Sequence, residues 1–287
     1  MVFESFISPT FAEKKPYIIF FVGLIYTTIA IFLANYIFPQ NTSIVVIFII
    51  SFFFIPLFYR TMIYEENKDL IEKDEKNILK QHSKALMFFM FLFIGVTIAY
   101  MIWFLILSST SGILLDSVFS MQESTIHEIN GKITEPELIQ SFSHFGLIFN
   151  NNVRVLMFCI LFSFIFGAGS IFILSWNASV IGYALGKYAL DIVNTATNIT
   201  TLVYLKGASI AFLRYLIHGI PEILAYFTAG LAGGIISVAI IKHDLGSEKN
   251  EKIMVDAAML FLISFVILFI SAALEVWVTP IFIGGFI

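Results

Sequence analysis

Apolar residues occur along this chain in runs much longer than a strand or a half-buried helix needs, and polar residues cluster in the gaps. Tyr17 to Phe38 is one such run, Pro39 to Ser43 a short turn and Ile44 to Tyr59 a second run, so the pattern predicts a transmembrane helical hairpin. Residues 60–84 then mix acids and lysines around Leu70, Ile71, Ile78 and Leu79, which predicts a solvated, charged helical arm. Ala85 to Leu107 is the third span. In the polar stretch from Ser108 to Asn152, Thr134-Glu135-Pro136-Glu137 has the form of a capping box, and Leu138, Phe142, Phe145 and Phe149 follow on one helical face. A separate amphipathic helix at residues 134–149, outside the membrane, is therefore expected.

Val153 to Trp176 is the fourth span, and Asn177 is placed to cap a new, half-length helix that runs to Leu190. Leu202 to Ile241 is apolar again but interrupted by His218, Gly219, Pro221 and Glu222. Residues 202–219 read as a short or tilted helix, and Pro221 suits the first turn of a new one. Ile253 to Thr279 is the last span. The sum is an all-α fold, a polytopic transmembrane helical bundle of about seven spans that includes short or re-entrant helices. Gly182 with Gly186, and Gly230 with Gly234, have the spacing that lets helix backbones touch, and Gly219 adds a small residue at the interruption.

Composition narrows the partners. With 59% hydrophobic and 13% charged residues the chain lies outside the range of soluble domains, so the lipid bilayer is its first partner. A net charge of −4 without a basic run excludes nucleic acid as an expected partner. The single cysteine, Cys159, allows neither an internal disulfide nor a cysteine metal site. Lysines concentrate in residues 60–84, which by the positive-inside rule puts that arm and the N-terminus in the cytoplasm of a multi-pass cell-membrane protein.

The candidate chemistry is intramembrane. Arg214, His218 and Glu222 repeat every four residues, and Glu222 lies 20 residues before Lys242, about 30 Å along a helix. Glu275 lies 19 residues after Asp256, about 28 Å. Glu222 and Glu275 thus fall near the same membrane face if Lys242 and Asp256 share the other. Glutamates and a histidine suit a cation, a proton relay, or a structural ion-pair network with Arg214, and Asn177 joins these as a polar group at membrane depth. The chain has no HExxH, GxSxG or Walker A motif, so no catalytic residue and no cofactor is assigned. Metal binding by His218, Glu222 and Glu275 is the least supported of these readings.

Three stretches resemble the stage II sporulation protein M family: Asn177 to Gly182 (NASVIG), His218 to Ile223 (HGIPEI) and Ala272 to Pro280 (AALEVWVTP). The resemblance runs from Ala85 to the C-terminus. It divides the chain into residues 1–84, a hairpin plus charged arm that looks like an addition, and residues 85–287, the family-like membrane domain. His-Gly-x-x-Glu is its most specific element; the family commonly has Pro before the His, where this chain has Ile217. The family pattern covers Asn177, Gly182, His218, Gly219, Glu222 and Glu275. In endospore formers the sporulation member anchors a complex with two peptidoglycan-degrading proteins. The resemblance therefore implies a non-enzymatic scaffold that recruits or organises envelope or membrane-remodelling partners, among them an unidentified envelope protein. The small-residue faces fit a homodimer. The alternative is a transporter or channel for an ion or small solute that uses the His/Glu site.

Overall fold

The computed structural model describes residues 7–71, 78–130, 138–196, 200–242 and 247–283. These residues form helices α1 (Pro9–Lys14), α2 (Pro16–Ile37), α3 (Thr42–Ile71), α4 (Ile78–Gln81), α5 (Ser83–Thr110), α6 (Gly112–Asn130), α7 (Leu138–Phe166), α8 (Ser170–Asn194), α9 (Thr201–Lys242), α10 (Glu248–Ala273) and α11 (Thr279–Ile283), with a π-helical turn at Leu274–Val278 joining the last two. Among the described residues, six helical stretches, in α2, α3, α5, α7, α9 and α10, are long and apolar enough to cross a membrane. The protein is a polytopic helical membrane bundle.

Side contacts set the directions. Gly23 meets Leu92, and Trp103 Nε1 donates to Thr28 Oγ1 at 3.1 Å, so α2 and α5 run parallel. Gly182 abuts Thr97 and Tyr100 and Gly186 abuts Phe104, which aligns α8 with α5, while Ser170 lies against Gly230 and Ala189 against Gly207, which opposes α8 to α9. Ion pairs Lys68–Glu13 and Lys242–Glu66 collect α1, the end of α3 and the end of α9 at one end of the bundle. Hydrogen bonds from Ser117 to Pro39 and between Ser43 and Gln122 put the α2–α3 turn and α6 at the other. α2, α3, α5, α7, α8, α9 and α10 therefore alternate direction. α8 has 25 residues, about 37 Å, enough to pass through, although Asn177, Ser179 and Lys187 interrupt its apolar run.

Helix α9 is the centre. In its span 89% of the residues are buried, against 22% in α7 and 33% in α2 and α10. Its small residues make this possible: a Cβ on Gly230 would meet Ser170 Oγ at 2.8 Å, on Gly233 the Ile160 carbonyl at 2.9 Å and on Gly234 Met62 Sδ at 2.6 Å. Three helices thus approach its backbone along the one face that these glycines share. Rings fill the remaining space, with Phe58 stacked on Phe89 at 4.0 Å and Phe89 on Phe227 at 5.4 Å. The outer faces of α2, α3 and α10, with Phe21, Phe52 and Phe269, are left for lipid.

Several expected boundaries move. The chain turns at Gly167, whose φ of +68° is the left-handed region that glycine adopts without strain, and not at Asn177. Asn177 is therefore inside α8, where Nδ2 donates to the Ile173 carbonyl at 2.8 Å; it caps nothing. The expected half-length helix is instead a full α8. Pro221 starts no helix: α9 continues through it for 42 residues, so no re-entrant break occurs there. The capping box at 134–137 lies outside the described residues, but Leu138 to Phe149 belong to α7 and run on into its span. Phe145 and Phe149 pack on Phe265 and Phe269 of α10, and Phe145 also on Trp277 of the π-turn, which is why no separate surface helix forms. Helix α6 was not expected; Val118, Phe119 and Gln122 form its buried side.

The charged arm is not simply solvated. α3 extends the second span to Ile71, and Glu65, Glu66 and His82 are fully enclosed. Glu65 Oε1 accepts from Lys68 Nζ at 2.6 Å, Glu65 Oε2 lies 2.6 Å from His82 Nδ1, and Lys68 Nζ also reaches Glu13 Oε1 at 2.7 Å. Glu13, on α1 outside the spans, has its carboxyl raised above the usual range because burial outweighs the Lys68 ammonium. Glu66 accepts from Lys242 Nζ at 2.8 Å and so ties residues 1–84 to the end of α9. Carboxylates buried this way need their cations. Lys68→Met is expected to destabilise the bundle by about 2–3 kcal/mol, less than the loss of a fully enclosed partner because Lys68 is partly exposed; denaturation in detergent, compared with an exposed-lysine control such as Lys206→Met, measures it.

Candidate intramembrane polar site

The interruption read from the sequence becomes one face of a continuous helix. Tyr215, Gly219, Glu222 and Tyr226 of α9 are spaced four, three and four residues apart, so they share a stripe, with His218 beside it. Ser271, Glu275 and Thr279 are four apart, from the end of α10 to the start of α11, and face that stripe. The π-turn begins at Leu274, so Glu275 sits within it. Such turns insert one extra residue into helical register.

His218 is buried and held at both its side chain and its backbone, by Thr279 at the start of α11 and by Ser271 of α10. Nδ1 lies 3.1 Å from Thr279 Oγ1, and the His218 carbonyl accepts from Ser271 Oγ at 2.7 Å. The second bond braces the turn that Pro221 loosens. Proline has no N–H for the Ile217 carbonyl and loosens the turn before it; within a membrane such groups are re-satisfied from a neighbouring helix, and here Ser271 serves the adjacent carbonyl. Thr279 Oγ1 also reaches the Leu274 carbonyl at 3.1 Å, inside the π-turn.

Glu222 accepts from the Tyr226 hydroxyl at 2.9 Å. Ser271 and Thr279, which both reach His218, bracket Glu275 and so place it on the side of its helix that faces the stretch of α9 carrying Tyr215 and Glu222. The Tyr215 hydroxyl is enclosed and has no hydrogen-bond partner among the described residues. The Tyr215 ring meets the His218 ring edge-on at 5.1 Å and covers Gly219 so closely that a Cβ there would collide with it. Gly219 therefore makes room for a side chain of its own helix, and not for a second helix as expected. Gly182, Gly186, Gly230 and Gly234 do lie at helix contacts. Cys159 of α7 is buried in the same core as Tyr226.

The structure thus brings His218, Glu222 and Glu275 into one neighbourhood near the middle of α9, away from its Lys242 end. Asn177 is elsewhere, on α8. Arg214 lies one turn before His218 on α9, and its side chain is outside the described residues. Among the described residues, no group of three or more His, Cys, Asp or Glu side chains is gathered to hold a metal ion. Tyr215, Tyr226, Ser271 and Thr279 escaped sequence reasoning. Their helical spacing from Glu222 and Glu275 was readable, but tyrosine, serine and threonine are ordinary in membrane helices and carry no signal until a neighbour is known.

The model of one protein family, stage II sporulation protein M, matches residues 85–280. No curated protein and no solved structure matches the chain. The matched segment begins at the start of α5 and ends beside Thr279, so it holds the whole polar site and leaves out α1 to α4.

The His218–Thr279 contact is expected to contribute a coupling of about 0.6 kcal/mol, the usual size for an interhelical hydrogen bond in a membrane protein. A double-mutant cycle with His218→Phe and Thr279→Val, read by unfolding in mixed micelles, measures it.

Proposed function

The chain belongs to the stage II sporulation protein M family, and on that premise we propose that it is a non-enzymatic membrane scaffold that recruits or organises envelope or membrane-remodelling partners. The supporting observation is closure. His218 and Glu222 engage the protein's own hydroxyls, and an interior cavity among Phe54, Leu92, Phe93, Ile171, Ser175 and Phe227 has a volume of about 10 Å³. That is the lower limit for a single water, and its walls are almost wholly apolar. A bundle packed in this way holds its shape and offers what lies outside it.

In this reading the end that gathers Lys14, Lys15, Lys68, Lys84 and Lys242 faces the cytoplasm, as the positive-inside rule favours, and the protein resides in the cell membrane. The opposite end then presents α6, with Ile113 and Met121 exposed, to an envelope protein. A homodimer through lipid-facing helices is compatible with this arrangement. Any hydrolysis belongs to partners.

A second reading, a transporter or channel for an ion or small solute, is favoured by one feature, the enclosed and unpartnered Tyr215 hydroxyl beside two glutamates. Proximity labelling from the full-length protein in its native membrane separates the two. The scaffold reading expects at least one envelope protein recovered reproducibly above background, with proteoliposome fluxes indistinguishable between the natural protein and Glu222→Gln. Failure to enrich any partner, together with a flux that Glu222→Gln abolishes, would replace it with transport.

A further inference from the structure

The pairing of His218 and Glu222 leaves part of the polar site unexplained. Glu222 has one hydroxyl donor, Tyr226, whereas Glu275 has no hydrogen-bond partner among the described residues. The Tyr215 hydroxyl is enclosed beside both carboxylates and is likewise unpartnered. Two carboxylates from different helices, withdrawn from bulk water, repel each other, and their repulsion grows as the local dielectric constant falls. Proteins retain such groups at membrane depth where they handle a charge.

The groups facing this spot can be named. From α9 they are Tyr215, His218, Glu222 and Tyr226; from α10 and its π-turn, Glu275; and from α7, Cys159, buried in the same core as Tyr226. His218 turns Nδ1 toward Thr279. The atoms here without a hydrogen-bond partner among the described residues are oxygens, those of the Glu275 carboxylate and the Tyr215 hydroxyl, beside the Glu222 carboxylate. Oxygen donors select hard cations, and with fewer than three His, Cys, Asp or Glu side chains gathered, the set is lean for a divalent ion. A single positive charge fits it better.

We propose that Glu222, Glu275 and the Tyr215 hydroxyl form a site for a small monovalent cation, a sodium ion or a hydrated proton, which bridges α9 to the π-turn of α10. The cation neutralises the carboxylate pair and gives the Tyr215 oxygen a partner. Because the site joins the central helix to the last span, occupancy fixes their relative position, and the bundle's stability follows the ionic conditions at that membrane face. The proposal goes beyond the scaffold reading and does not depend on it: a scaffold and a transporter would both keep such a site, and its failure leaves the partner experiment untouched.

The test is thermal unfolding of the full chain in lipid nanodiscs. Sodium chloride replaces N-methyl-D-glucamine chloride at constant ionic strength and fixed alkaline pH, and a second series varies pH without sodium. If sodium is the ligand, the unfolding temperature rises saturably with sodium, Glu275→Gln abolishes the rise, and Tyr215→Phe raises the half-saturating concentration by about threefold, the loss of one modest hydrogen-bonding contact. If the hydrated proton is the ligand, sodium has no effect. Acidification then raises the unfolding temperature in a step that Glu275→Gln removes and the exposed-site control Glu123→Gln retains. Should Glu275→Gln not fold, Glu222→Gln and Tyr215→Phe carry the same comparison. Absence of both responses in the natural protein, or responses unchanged in these variants, overturns the proposal.

Discussion

Polar groups in hydrocarbon must find partners within the protein, and α9 places that requirement at the centre of the bundle. A helix enclosed by others has no lipid-facing side on which to hide a mismatch, so every bulky or polar residue along it dictates what a neighbour must offer. Where α9 carries glycine and alanine, α3, α7 and α8 come close to its backbone. Where it carries His218, Pro221 and Glu222, α10 supplies Ser271, α11 supplies Thr279, and α9 itself supplies Tyr226. The two halves of one helix thus use opposite means, close packing toward the Lys242 end and hydrogen bonding toward the other.

The same requirement shapes the N-terminal addition. Residues 1–84 are outside the matched family segment, yet Glu66 reaches Lys242, so this segment is fastened to the matched one by an ion pair and not only by apolar contact, while Glu65 and His82 pair within the N-terminal segment itself. α2 adds a close backbone contact, since Gly95 of α5 lies against the Phe20 carbonyl so tightly that a Cβ would collide. Charges that read as a solvated arm are, for Glu65, Glu66 and His82, part of the packing.

The polar seam holds both a structural and a chemical role without conflict. His218 is committed to α11 through its ring and to α10 through its carbonyl, which makes it a strut between helices. Glu275 and the Tyr215 hydroxyl are not committed in this way. The π-turn separates these behaviours, because it lets Thr279 reach His218 while Glu275 stays within the turn, in range of Glu222.

Sequence alone carries the all-α membrane class and the family, and it puts Glu222 and Glu275 near one membrane face if Lys242 and Asp256 share the other, because hydrophobic length and the helical rise are local quantities that accumulate along the chain. It also marked His218 as anomalous, since an ionisable group in an apolar run stands out without any structure. Where helices begin and end was decided by tertiary contacts. Asn177 and Pro221 both carry strong local boundary signals, and both lie inside helices, because Gly167 takes the turn and Ser271 supports the helix at Pro221. Phe145 and Phe149 likewise needed α10 before their stripe had something to bury against. Boundary signals and side-chain roles depend on which partner lies opposite, and that information exists only once the chain has folded back on itself.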